Sequence, residues 1–328
     1  MTAWQQVAGQ HALNLDTIQK ADKQIAPYSV HTPVLQSDAL NKHCGASLWF
    51  KCENLQRTGA FKFRGACYAL LQLTEREREA GVFTVSSGNH GAALACAGQM
   101  LGIAVHVGVP RTAPQIKKQN IAQYGARITE LEPGMAAREA FTAEQQTTSL
   151  AMFIPPYDHP WIIAGQGTAA LELIKHQPNL DCLIAPVGGG GLLSGTCMVG
   201  QSQELAVYGA EPETVNDAWE SLRNGKVAPA KGPLSICDGL LTQLGEHTFS
   251  IIRSHVQDIL LVSEAEIISA MGLLWQQLKI IVEPSSATVM AAVLKYPGLF
   301  EGRNVGLILS GGNVDISRLG LRSLFDEA

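Results

Sequence analysis

Charge is scarce in this sequence: Asp, Glu, Lys and Arg make up 16% of its 328 residues, against about 25% in ordinary domains. Neither sign dominates. The 24 basic residues stand against 29 acidic ones, a net charge of −5, so no basic field exists to hold a nucleic-acid backbone, and no nucleic-acid partner is expected. Aromatic residues reach only 6%. The seven cysteines (Cys44, Cys52, Cys67, Cys96, Cys182, Cys197 and Cys237) are odd in number and form no CxxC pair. That excludes a disulfide framework and points to reduced thiols in a cytoplasmic protein. The first ten residues have no basic n-region and no apolar core, so no secretory signal is expected. Internal repeats, low-complexity segments and linkers are missing as well.

Two stretches, 81–110 and 182–203, contain no Asp, Glu, Lys or Arg. Their length would admit a membrane span; their content argues otherwise. The first holds Ser86, Ser87, Asn89, His90 and Gln99, and the second Pro186, four consecutive glycines and Ser194. Each reads as a buried strand, a polar loop and a buried helix, so no membrane partner is expected. With 46% hydrophobic residues the chain is not globally disordered.

What the sequence has in quantity is glycine, 32 residues, and alternation of short apolar runs with helix-like stretches. The pattern predicts strands at 48–52, 82–86, 104–109, 128–131, 183–187, 206–210 and 305–309. It predicts helices at 16–25, 89–101, 114–124, 135–147, 166–175 and 264–278. Pro114 suits a first helical turn and Gly125 a stop. Buried strands alternating with helices predict an α/β protein with parallel sheets. Periodicity alone leaves one large sheet or two smaller ones open.

Four loops could carry chemistry. Leu183 to Val187 run into Gly188, Gly189, Gly190 and Gly191, and then into an apolar stretch from Leu192. Such a turn lets backbone N–H groups converge at a helix N-terminus, a phosphate cradle, although a tight strand–helix turn would read the same way. The sixth position from Gly188 is Leu193 and from Gly189 is Ser194, so a dinucleotide fingerprint fails. The turn lacks the lysine of a Walker loop, and Gly225-Lys226 is followed by Val227. A monophosphate is the better match. Lys62 sits between Phe61 and Phe63; alone it reads as a surface lysine on an amphipathic helix. Apolar surroundings that lower its pKa would instead allow a Schiff base. A Schiff-base lysine with a monophosphate cradle is what pyridoxal 5′-phosphate requires. Ser86, Ser87, Gly88, Asn89 and His90 form a polar turn that reads either as a carboxylate-binding loop or as a helix cap by Ser87 or Asn89. Ser310, Gly311, Gly312 and Asn313 follow the strand 305–309. Ligands of parallel sheets gather at the carboxyl ends of strands, so these loops are expected to face one crevice.

On these residues the chain resembles the fold type II pyridoxal-phosphate enzymes, in the serine racemase and serine/threonine dehydratase family. The resemblance runs from His31-Thr32-Pro33-Val34-Leu35 to Ser310-Gly311-Gly312-Asn313. It implies a tryptophan synthase β-like fold of two parallel-sheet α/β domains with the cofactor in the cleft between them. The small domain, 53–147, would be inserted into a large one formed by 1–52 and 148–328, a catalytic core with no regulatory module. Lys62 would be the Schiff-base lysine and an acid/base. Phe61 would pack beside the ring, Asn89 would meet the ring 3′-oxygen, and Ser310 would face the pyridine nitrogen. Gly188, Gly189, Gly190, Gly191 and Leu192 would bind the phosphate, and Glu283 would lie near the cofactor. Ser86, Ser87, Gly88, Asn89 and His90 would cradle the substrate α-carboxylate.

Three further details concern the substrate. Ser87 stands where serine racemases carry the opposite-face acid/base, or it only binds carboxylate. Glu211, the Val215 carbonyl and Asp217 match a divalent-metal site of serine racemase, suited to Mg²⁺, Mn²⁺ or Ca²⁺; without the resemblance they read as a solvated acidic loop. Arg138 matches an arginine that meets a second substrate carboxylate, or is a surface helix residue. Cys237 to Thr242 resemble the bacterial 3-hydroxyaspartate dehydratase branch. The expected activity is β-elimination of water from 3-hydroxyaspartate to oxaloacetate and ammonia. Serine racemase or serine/threonine dehydratase activity is the alternative, and a non-catalytic amino-acid-binding protein a remote one. The expected assembly is a cytoplasmic homodimer with a small amino-acid substrate.

Overall fold

The computed structural model of the chain describes residues 13–315 apart from Ser87, Pro114 and Pro233. Its strands, in chain order, are β1 (Val34–Leu35), β2 (Ser47–Cys52), β3 (Val82–Val85), β4 (Val105–Pro110), β5 (Arg127–Leu131), β6 (Met152–Phe153), β7 (Cys182–Pro186), β8 (Ala206–Pro212), β9 (Asp258–Val262) and β10 (Asn304–Leu309). They form a six-stranded sheet, β1-β2-β10-β7-β8-β9, and a four-stranded sheet, β5-β4-β3-β6. Every pairing is parallel except β1 with β2. The alternative left open by the pattern is thus resolved as two sheets.

A parallel sheet needs both faces covered, so its inner strands lose the polar alternation of a half-exposed strand. All five residues of β7 are buried. The helices Asn89–Leu101 and Gly191–Gln201 are apolar around most of their circumference because they are enclosed by sheet and helix. That accounts for the two uncharged stretches, and no helix among the described residues is long and apolar enough to cross a membrane.

The expected strands at 48–52, 183–187 and 305–309 lie within a residue of β2, β7 and β10. The helix expected at 166–175 is longer, Pro160–His176. Its first turn is so apolar that no amphipathic period marks it. The start signal is local: the His159 ring Nδ1 accepts from the Trp161 N–H (3.2 Å) and Pro160 occupies the first turn. β9 and the helix Pro284–Lys295 were not anticipated. β6 pairs with β3 in the four-stranded sheet and lies outside the 53–147 segment. Two residues give no period to read.

Candidate active site

A cavity of about 530 Å³ opens between the two sheets, lined by the loops after β3 and β7, the start of the Lys62–Leu71 helix and the residue following β10. Gly188, Gly189, Gly190, Gly191 and Leu192 form one wall. The turn closes tightly: Gly190 has φ +87°, and a Cβ on Gly188 would lie 2.9 Å from the Leu240 Cα. A Cβ on Gly189 would lie 2.3 Å from the Tyr157 ring. Thr248 Oγ1 donates to the Gly189 carbonyl (2.9 Å) and fixes the turn from behind. Ser194 N–H bonds back to the Gly190 carbonyl (2.8 Å), so the N–H groups of the preceding helical residues have no intrahelical acceptor and are available to an anion.

Lys62 opens the helix Lys62–Leu71. Its Nζ donates to the Pro156 carbonyl (2.7 Å) and lies 5.1 Å from the Phe61 ring centroid. Burial lowers its pKa to about 8 against a partial opposing pull from the Glu283 carboxylate. The surface-lysine reading fails for this physical reason: the amine is held inside the cavity. Phe61 and Ser310 are tied together, the Phe61 N–H donating to the Ser310 carbonyl (3.0 Å).

Ser87, one of the two expected caps of the helix Asn89–Leu101, lies outside the described residues, and Asn89 does not cap it: the N-cap is Gly88. Ser86 Oγ accepts from the Gly88 N–H (3.3 Å) and the Gly91 N–H (3.2 Å). The Asn89 amide reaches across the cavity instead. Its Nδ2 donates to Glu283 Oε1 (3.0 Å), and its Oδ1 accepts from Asn313 Nδ2 (2.9 Å). Glu283 is buried, and burial, with Asp238 nearby, pushes its pKa up to about 7. His90 is buried and kept neutral: burial lowers it to about 3, with the Lys62 charge acting the same way. Its Nε2 meets the Ile154 carbonyl (3.2 Å), which can only accept, so the proton sits on Nε2.

An amine of lowered basicity, a tight backbone turn and the hydroxyl-bearing Ser310 lining one cavity are the complement of pyridoxal phosphate. The family model for "Pyridoxal-phosphate dependent enzyme" matches residues 25–311. The chain belongs to the pyridoxal-phosphate dependent enzymes. Within that family it is 44% identical over 301 residues to the beta-hydroxyaspartate dehydratase of Paracoccus denitrificans (strain Pd 1222), covering 91% of this chain and 96% of that one. It is 46% identical over 314 residues to the serine racemase of Dictyostelium discoideum, covering 94% and 97%. The crystal structure of serine racemase from Dictyostelium discoideum superposes with a TM-score of 0.89 at 45% identity, over 92% of this chain and 99% of that one. The fold is therefore that of the fold type II pyridoxal-phosphate enzymes.

Tyr157 and Lys117 of this family member's cavity were not signalled by the sequence, whereas Asp238 falls in the 237–242 segment singled out there, and residues 238–242 line the cavity. Tyr157 backs the glycine turn, and Lys117 and Asp238 form an ion pair at the cavity wall. Lys117 lies on the helix Gln115–Ala122 beside the four-stranded sheet, and Asp238 on the turn Asp238–Leu240 of the other half. It is the one ion pair among the described residues whose two partners both line the cavity. Arg138, on the helix Met135–Thr148, also lines the cavity and has no carboxylate partner among the described residues. Glu211, Val215 and Asp217 are not part of the cavity wall. Glu211 sits at the end of β8, Val215 in the turn after it and Asp217 at the start of the helix Asp217–Asn224, all buried. That burial is at odds with a solvated acidic loop.

Proposed function

We propose that this enzyme is an ammonia-lyase that eliminates water from 3-hydroxyaspartate and yields oxaloacetate and ammonia. The observation that carries the substrate is the Arg138 guanidinium, without an ion-pair partner among the described residues and lining the same cavity as Lys62. A second substrate carboxylate would complete its charge. The beta-hydroxyaspartate dehydratase relative supports the same reading.

The residues present fit pyridoxal phosphate. The 188–191 turn is a cradle that any Cβ would fill, and it offers only N–H donors. Bound there, the cofactor withdraws electrons from the substrate Cα and makes its proton acidic. The chain positions groups and moves protons. Gly188, Gly189, Gly190, Gly191 and Leu192 would hold the phosphate, Phe61 would pack beside the ring, Asn89 and Glu283 would lie near its 3′-oxygen, and Ser310 would face its nitrogen. Ser86, Ser87, Gly88, Asn89 and His90 would hold the α-carboxylate, at the N-terminus of the helix Asn89–Leu101. Lys62, freed by the substrate amine, accepts the Cα proton. With a pKa near 8, about one Lys62 in ten is neutral at pH 7, against about one in 2,500 for an ordinary lysine. The β-hydroxyl leaves as water, and hydrolysis of the resulting enamine gives the oxo acid and ammonia. The working unit would be a cytoplasmic homodimer with a small domain, 53–147, closing on a large one, 1–52 and 148–328.

A divalent cation (Mg²⁺, Mn²⁺ or Ca²⁺) fits at Glu211, the Val215 carbonyl and Asp217. Asp217 Oδ2 is buried without a hydrogen-bond partner. Burial pushes Glu211 up to about 8 and Asp217 up to about 6, against an opposing pull from Lys231 and, for Glu211, from the Ala218 and Trp219 N–H groups that its two oxygens accept (2.8 and 2.9 Å). Among the described residues no cluster of three His, Cys, Asp or Glu is present, so backbone and water oxygens would complete the shell.

The test is oxo-acid release from 3-hydroxyaspartate isomers, serine and threonine. Arg138→Ala should lose hydroxyaspartate activity far more than serine activity; equal losses would remove that role. Serine racemisation and dehydration is the second reading, favoured by the serine racemase relative; it predicts serine as the best substrate and racemisation that ends in Ser87→Ala. A purified protein that develops no band near about 410–420 nm with added cofactor would leave only an amino-acid-binding protein.

A further inference from the structure

Two cations and two anions are buried beside the cavity, and the proposed chemistry uses none of them. Lys51, Glu53 and Arg64 are fully buried and Glu172 nearly so, and none lines the cavity. Arg64 Nε and Nη2 donate to the two oxygens of Glu53 (2.7 and 2.8 Å). Its Nη1 and Nη2 donate to the two oxygens of Glu172 (2.7 and 2.9 Å), and Nη1 also to Thr168 Oγ1 (3.2 Å). The five guanidinium N–H groups are therefore all used. Lys51 Nζ donates to Glu172 Oε2 (2.5 Å) and the Thr32 carbonyl (2.7 Å), and Thr32 Oγ1 to Glu53 Oε1 (2.5 Å). Burial opposes ionisation of Glu172, yet its bonds to Arg64 and Lys51 hold it below its ordinary value.

A buried charge network of this kind is weak grounds for stability, since apolar residues of similar volume serve as well or better. Its geometry suggests another use. Arg64 is in the first turn of the helix that Lys62 opens, Glu53 directly follows β2, and Glu172 is on the helix Pro160–His176. On the opposite side, Ala60 bridges to Gly311 and Phe61 bonds to Ser310. The helix Pro160–His176 touches both neighbours backbone to backbone. A Cβ on Gly165 would lie 2.6 Å from the Gly65 Cα, and one on Gly195 2.5 Å from the Gly167 nitrogen. Gly195 belongs to the helix Gly191–Gln201 that carries the phosphate turn.

We propose that Arg64 is a positioning residue: by clasping Glu53 and Glu172 with one planar fork, it sets the spacing between the Lys62 amine and the 188–191 turn. This rests on the reading of Lys62 as the Schiff-base lysine. The full-length holoenzyme is tested first by borohydride reduction and peptide mass spectrometry. A wild-type protein without the label on Lys62 overturns that reading and the positioning role with it. With the label in place, the variants decide the positioning role alone.

Three variants are compared: Glu172→Gln, Arg64→Lys, and the fourfold Lys51→Met, Glu53→Met, Arg64→Met, Glu172→Met. The readouts are thermal unfolding, kcat and KM separately, and the induced ellipticity of the cofactor band, which reports ring orientation. The fourfold variant is expected to fold, because no charge is left unpaired. Its kcat should fall about 100-fold, the cost of roughly 1 Å of misplacement, with KM within about threefold and the ellipticity reduced by about half or more. Arg64→Lys should fail to rescue, since an ammonium cannot fork to two carboxylates. A folded fourfold variant with kcat within about threefold of wild type and full ellipticity overturns the positioning role. Should that variant not fold, the same result in Glu172→Gln overturns it.

Discussion

Gly189→Ala isolates the phosphate cradle. The new Cβ would lie 2.3 Å from Tyr157 Cδ1, 2.4 Å from Cγ and 2.5 Å from Cε1, where ordinary contact begins at 3.4 Å. A gap of about 1 Å must open between a rigid ring and a backbone turn, which costs about 1–3 kcal/mol. The turn cannot retreat freely, because its carbonyl is held by Thr248 Oγ1 at 2.9 Å, a bond worth about 0.5–1.5 kcal/mol. If the strain falls on the cofactor-binding geometry, affinity for pyridoxal phosphate drops about 5- to 150-fold. Titration of the cofactor-free protein, followed by the absorption band, measures this. Removing the ring should relieve the clash, so Gly189→Ala with Tyr157→Ala should bind better than the sum of the single effects allows. As a control, Gly272→Ala on the helix Glu264–Leu278 meets no atom within 4 Å. It should leave affinity unchanged and raise stability by about 0.5–1 kcal/mol. Gly189→Ala binding within about twofold of wild type, or strictly additive double-variant losses, would refute the steric argument.

Glu283→Gln tests the buried carboxyl. Its pKa is raised from 4.5 to about 7, so the folded state holds the extra proton in that window and stability falls as pH climbs through it. The variant should flatten Tm against pH between those values. It also removes the anion that raises Lys62, so the pH midpoint of cofactor uptake should move below about 8; an upward move would contradict the assigned sign. Asp238→Asn breaks the Lys117 pair across the cleft. Because both partners are partly exposed, KM should rise only about two- to fivefold, with a weaker dependence on salt in steady-state assays. EDTA should lower Tm if Glu211 and Asp217 hold a cation, and Mg²⁺ should restore it; a Tm indifferent to both would remove the metal.

The glycine turn was legible because four consecutive glycines after a buried strand have few other uses, and Lys62 because two phenylalanines frame it. Their meeting in one cavity follows from the strand ends of parallel sheets. Harder to read were residues whose role exists only after folding. Lys51, Glu53, Arg64 and Glu172 are charged, and no local pattern separates a buried charge from a solvated one when Glu172, which Lys51 and Arg64 both meet, lies more than a hundred residues from either. Tyr157 follows Pro155 and Pro156 in a segment with no period. Its function as the back wall of the glycine turn is set by contact, not by sequence neighbours.

The position of β10 has a consequence for the order in which the protein becomes functional. It is the last strand among the described residues, yet it fills the slot between β2 and β7 at the centre of the six-stranded sheet. The four-stranded sheet, with strands between residues 82 and 153, uses only residues made earlier. During synthesis it can assemble while the other half still lacks its middle. The phosphate turn after β7 and the lysine helix after β2 then stand on opposite sides of a gap. Ribosome-bound chains should therefore capture the cofactor only once residues 304–313 have left the exit tunnel, which makes cofactor loading a late report on the completeness of the chain.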